Sequence, residues 1–77
     1  MTKLPRDLPG DRLIRGLGKT GWYVDHQVGS HATLRNTQRP GVKVVVPVHP
    51  GKPLKPKVLS RILKEVGLTT EELLNLL

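Results

Sequence analysis

The chain is 77 residues long, has no cysteine and carries a formal net charge of +7, from thirteen Lys/Arg against six Asp/Glu. Such a length predicts a single domain over residues 1–77 with a thin core, since a chain this small buries only about 60% of its unfolded surface. The missing cysteines exclude disulfide frameworks and thiolate metal sites. No apolar run nears the ~18 residues of a membrane span, and the opening Met1-Thr2-Lys3-Leu4-Pro5 lacks a signal-peptide core, so a cytoplasmic protein without a membrane partner is expected.

Residues 1–8 hold a proline and no apolar period, and are read as an extended lead-in. Pro9 or Gly10 opens a first helix, with Asp11 favourable to its positive end and Leu13, Ile14 and Leu17 forming a short buried stripe. Gly21 is the expected stop. Trp22 to Gln27 reads as a first strand, with Trp22 and Val24 facing in and Tyr23, Asp25 and Gln27 out. Trp22 is read as a core anchor, and Tyr23 as a base-stacking candidate if its face is open.

Val28-Gly29 turns the chain into a second strand, Ser30 to Arg35. Alternation puts Ala32 and Leu34 on one face and His31, Thr33 and Arg35 on the other. Asn36 to Gly41 is a hairpin loop, and Val42 to Val48 a third strand that Pro47 ends or edges. Three strands joined by short loops make an antiparallel meander with one packed face. The proline-punctuated basic loop from His49 feeds a helix from about Lys57 to Val66, whose apolar stripe is Val58, Leu59, Ile62, Leu63 and Val66. Gly67 ends it, and Thr69 with Glu72 forms a capping box for a last short helix rich in leucine. The expected fold is therefore α+β, in the order α-β-β-β-α with an extra C-terminal helix.

Charge is unevenly placed. Between His26 and Lys64 lie eight Lys/Arg and no acid, whereas Glu65 to Leu77 holds three Glu and no base. A one-signed block suits a polyanion, because each phosphate contact releases counterions. Imidazole is the side chain that both takes and gives a proton near neutrality, which makes His31, beside fixed cations, the candidate catalytic group. The candidate phosphate-binding residues are Arg35, Lys43, Lys52, Lys55 and Lys57. Gly29 permits close backbone approach to a phosphate, and Ser30 either orients the imidazole, donates to phosphate or forms the turn. His49 is the candidate second proton carrier, between prolines that also suit a structural corner. Three histidines spaced by five and eighteen residues do not suggest zinc, and no other metal or cofactor motif is present.

Gly21-Trp22, Gly29-Ser30-His31, Val46-Pro47-Val48-His49, Leu54-Lys55-Pro56, and Leu59 with Arg61-Ile62-Leu63-Lys64 ahead of Gly67-Leu68-Thr69 resemble the HicA family of toxin–antitoxin systems. The likeness runs from about Leu4 to the C-terminus. It implies a fold like that of double-stranded-RNA-binding domains, with helices on one sheet face. It also implies an mRNA interferase toxin that cleaves RNA without metal or cofactor, His31 matching the family's catalytic histidine, and a HicB-type antitoxin as protein partner. The chain departs from the family's pattern at His26 and Val28, where basic residues are common, and at Lys57-Val58, where Gly-Thr often opens the helix. Two other readings use the same features: a non-catalytic RNA-binding module on the basic platform, and an interaction protein whose apolar tail, Leu73 to Leu77, either docks a second protein or covers the core.

Overall fold

A computed structural model describes residues 3–77 of the chain. Its elements are α1 (Gly10–Gly18), β1 (Trp22–Val28), β2 (His31–Asn36), β3 (Lys43–Pro47), α2 (Pro56–Val66) and α3 (Thr70–Leu76). The strands form one antiparallel sheet in the order β1-β2-β3. This is the α+β architecture and the element order that the apolar spacing predicts. Met1 and Thr2, where the expected lead-in begins, lie outside the described residues.

The core lies between one sheet face and the helices. Ala32, Leu34, Val44 and Val46 supply the sheet side, and Leu13, Leu17, Leu59, Ile62, Leu63, Val66 and Leu73 the helix side, all buried. The opposite face carries His31, Thr33 and Arg35 on β2 with their register partners Pro47, Val45 and Lys43 on β3. Thr33 is nonetheless buried, because it sits mid-sheet with His26 and Val45 as its register partners on either side.

Several boundaries differ from expectation. Helix α1 ends at Gly18, and the chain winds on in tight i→i+3 bonds from Lys19, Thr20 and Gly21 to the carbonyls of Gly16, Leu17 and Gly18. Gly21, at φ 97°, then breaks the winding. Val24 shares the core face with its buried register partner Leu34, as expected, but on the edge strand β1 it is left 42% exposed. The register slips between Val24 and His26, so β1 carries a bulge at Asp25 and strict alternation fails there. Strand β3 is shorter than Val42–Val48, since the Val42 N–H closes the loop by donating to the Arg39 carbonyl.

The helix ends follow local chemistry. Gly67 takes φ 75° at the C-cap of α2, and its N–H and that of Leu68 donate to the carbonyls of Lys64 and Leu63. At α3, Thr69 Oγ1 accepts from the Glu72 N–H and Glu72 Oε1 from the Thr69 N–H, which is the predicted capping box. The leucine tail is mainly core cover. Leu73 is fully buried and Leu77 packs on the core, while Leu74 faces solvent.

Candidate active site

His31 opens β2 directly after a two-residue hairpin turn, with Val28 and Pro47 as its register partners. Gly29 at φ 56° and Ser30 at negative φ match the turn type that wants glycine first. A Cβ on Gly29 would meet nothing within 4 Å, so the glycine is there for its backbone angle and leaves the turn open to solvent. Among the described residues, no hydrogen bond joins the Ser30 hydroxyl to the imidazole. The Ser30 carbonyl instead accepts from the Val48 N–H at 2.6 Å. That bond keeps β2 and the segment after β3 together one step past Pro47, and so delivers His49 beside His31.

The chain then reverses tightly. The Lys52 N–H donates to the His49 carbonyl at 3.0 Å, with Gly51 at φ 75°. Pro53 bridges to Pro9, and the Leu54 N–H donates to the Leu8 carbonyl at 2.8 Å. Leu8 is buried in the core. The supposedly featureless lead-in is therefore a clasp that pins the basic loop. Beyond it, Lys55 is the N-cap of α2.

These constraints build a pocket of about 400 Å³ lined by His31, His49, Lys52 and Lys55, with Pro47, Leu54 and Val58 among its apolar walls. Both imidazoles and both lysines are exposed. Among the described residues, no hydrogen bond or ion pair occupies the His31 ring, so both ring nitrogens are open to a ligand. Among the described residues, no acid lines the pocket. Two proton carriers and two cations converging on one concavity suit a phosphodiester. Among the described residues, no group of three or more His, Cys, Asp or Glu is placed to hold a metal ion.

The other predicted phosphate contacts lie elsewhere. Lys57, on the exposed side of α2, lines a separate concavity with Ser60, Arg61 and Lys64. Arg35 and Lys43 are paired at the far end of the strands from His31. Four residues along β2 separate Arg35 from His31, roughly 13 Å.

Two arginines of the basic block have structural work that sequence reasoning missed. Arg39 Nη1 donates to the Val66 carbonyl at 2.8 Å, and its guanidinium lies 5.9 Å from the centroid of the Trp22 ring. It thus places a cation at the negative end of α2 and covers the core tryptophan. Arg61 Nη1 pairs with Glu65 at 2.8 Å, and Nη2 donates to the Val45 carbonyl at 3.1 Å, tying α2 to the free edge of β3. Partners 27 and 16 residues away leave no local signal.

Among the described residues, no helix is long and apolar enough to cross a membrane. A family model described as the HicA toxin of bacterial toxin-antitoxin matches residues 10–68, a span that takes in the three strands, the clasped basic loop and α2. No curated protein matches the chain.

Proposed function

The chain belongs to the HicA toxin family of toxin–antitoxin systems, with an antitoxin as its partner, and from that premise we propose that it is a metal-independent endoribonuclease acting on mRNA in the cytoplasm. The observation that carries this reading is the pocket lined by His31, His49, Lys52 and Lys55.

RNA brings its own nucleophile. One imidazole removes the 2′-hydroxyl proton, the 2′-oxygen attacks phosphorus, and the P–O5′ bond breaks as a second imidazole gives its proton to the leaving oxygen. General acid–base help of this kind is worth about 10²–10⁴-fold. Lys52 and Lys55 stabilise the extra charge on the non-bridging oxygens. Atoms and charge balance without a metal or a water, and the products are a 2′,3′-cyclic phosphate and a 5′-hydroxyl. His31 and His49 fill the two proton-carrying roles, and a HicB-type antitoxin is the expected inhibitor.

The test is incubation of the purified chain with RNA in EDTA, beside the His31→Ala chain. Cleavage by the first, with cyclic-phosphate ends, and none by the second is the expected result. Cleavage that stops in EDTA, or that leaves 5′-phosphates, would overturn the mechanism. Binding without cleavage by the unaltered chain would instead make it an RNA-binding module.

A further inference from the structure

The open sheet face carries a second cluster that the pocket chemistry does not use. Tyr23 is the register partner of Arg35, and Arg35 that of Lys43, so the three form one row across all three strands. Directly paired residues stand about 4.5–5.5 Å apart, which makes ring, guanidinium and ammonium one contiguous strip. Tyr23 is 45% exposed and takes no part in the core. His31 lies on the same face of β2, roughly 13 Å from the strip.

The strip has its own electrostatic tuning. Asp25, the one acid between Arg12 and Lys64, sits at the bulge with Oδ2 2.9 Å from His26 Nδ1 and 3.8 Å from Arg35 Nε. It holds Arg35 in place next to Tyr23 and partly offsets its charge. Lys43 has no ion-pair partner among the described residues.

We propose that Tyr23, Arg35 and Lys43 form a nucleobase-stacking subsite for single-stranded RNA. The strand held at His31 continues over the open sheet face, stacks one flanking base on the Tyr23 ring and sets its phosphates against Lys43 and Arg35. An exposed aromatic ring beside cations, of which Lys43 is unshared, is the chemistry that single strands use, since a paired base has no free face to offer. The choice of RNA as occupant rests on the ribonuclease reading, on the charge of the strip and on its sharing a face with His31.

The experiment measures binding apart from cleavage, in the His31→Ala chain with a fluorescently labelled single-stranded oligoribonucleotide. Adding Tyr23→Ala is expected to weaken binding by about 5- to 150-fold, the usual range for losing one stacked base. Tyr23→Phe keeps the ring and should bind as tightly as the parent, which separates stacking from loss of fold. Unfolding midpoints and circular dichroism check that each variant is folded. Binding to a duplex of the same sequence should not respond to Tyr23→Ala. Unchanged single-strand affinity in Tyr23→Ala, equal loss on duplex, or loss confined to antitoxin binding would each overturn the subsite. Because the binding assay does not depend on cleavage, an unaltered chain that never cleaves RNA, beside a His31→Ala chain that binds through Tyr23, would sink the nuclease and keep the subsite.

Discussion

Gly10 packs α1 directly against the backbone of Pro47, a wall of the pocket. It is the first residue of α1, and a methyl added there would overlap the Pro47 carbonyl oxygen and approach Cγ1 of Val46 at 3.4 Å. The obstacle is backbone, at the strand end that pairs with His31, and cannot swing aside as a side chain would. Overpacking costs typically 1–3 kcal/mol, set against a gain of at most about 1 kcal/mol from replacing glycine in a helix. With a backbone clash at the upper end of that range, Gly10→Ala should therefore lose about 1–2 kcal/mol, or roughly 4–16 °C of melting temperature for a domain of this size. Gly18, at the other end of the same helix, is the control. A Cβ there meets nothing within 4 Å and its φ is not positive, so Gly18→Ala should gain about 0.5–1 kcal/mol. Thermal and urea unfolding of both variants, with the same chemical change at each site, reads out opposite signs. If Gly10→Ala is as stable as the parent, or if both variants move together, α1 does not abut β3 as described.

Arg39→Met removes the bond to the Val66 carbonyl and the cation over Trp22, and should cost about 1–2 kcal/mol by urea denaturation. The affinity for single-stranded RNA should fall with salt at a log–log slope of about −2 if Lys52, Lys55 and Lys57 carry the phosphate contacts, and about −3.5 if Lys43 and Arg35 join them. A flat response would remove the basic surface from the binding account. The ribonuclease proposal predicts a bell-shaped pH–rate profile for the unaltered chain, and His49→Ala should erase one of its limbs; a profile that keeps both limbs would assign the second proton to another group.

Where structure follows from neighbours along the chain, it was legible. The stripe from Val58 to Val66, the Thr69–Glu72 box and the alternation of Ala32 and Leu34 are each decided within one or two turns, and all three stand as predicted. Gln27, expected on the open face, pairs instead with core-facing Ala32, because a single extra residue at Asp25 reverses the parity of everything beyond it, and no local preference marks where a strand will bulge. The candidate site was legible in the same proportion. Residue types picked out His31, His49, Lys52 and Lys55, and the structure brings those four to one pocket. Lys57, Arg35 and Lys43, chosen by the same charge argument, lie apart, because net charge reports how many cations a surface holds and not which of them share a concavity.

The pocket owes its shape to contacts that span most of the chain. Val48 is tied back to Ser30, Leu54 to Leu8, and Gly10 is wedged against Pro47, so the segment bearing His49 and Lys52 is fixed at both ends although it has no regular structure of its own. That matters for the chemistry. Exposed lysines on a free loop would have to be ordered by the substrate, and the entropy of ordering them would be subtracted from transition-state stabilisation. Here the backbone is already held, so that under the ribonuclease proposal only the side-chain rotors remain for RNA to order. On that proposal, the clasp at Leu8 would contribute to catalysis through its effect on Lys52 and Lys55. By this argument Leu8→Ala, while still folded, should lower kcat more than it raises KM for RNA, since charge stabilisation is needed most as the phosphorane forms. If the variant raises KM with kcat unchanged, the loop serves binding alone and preorganisation is not its contribution.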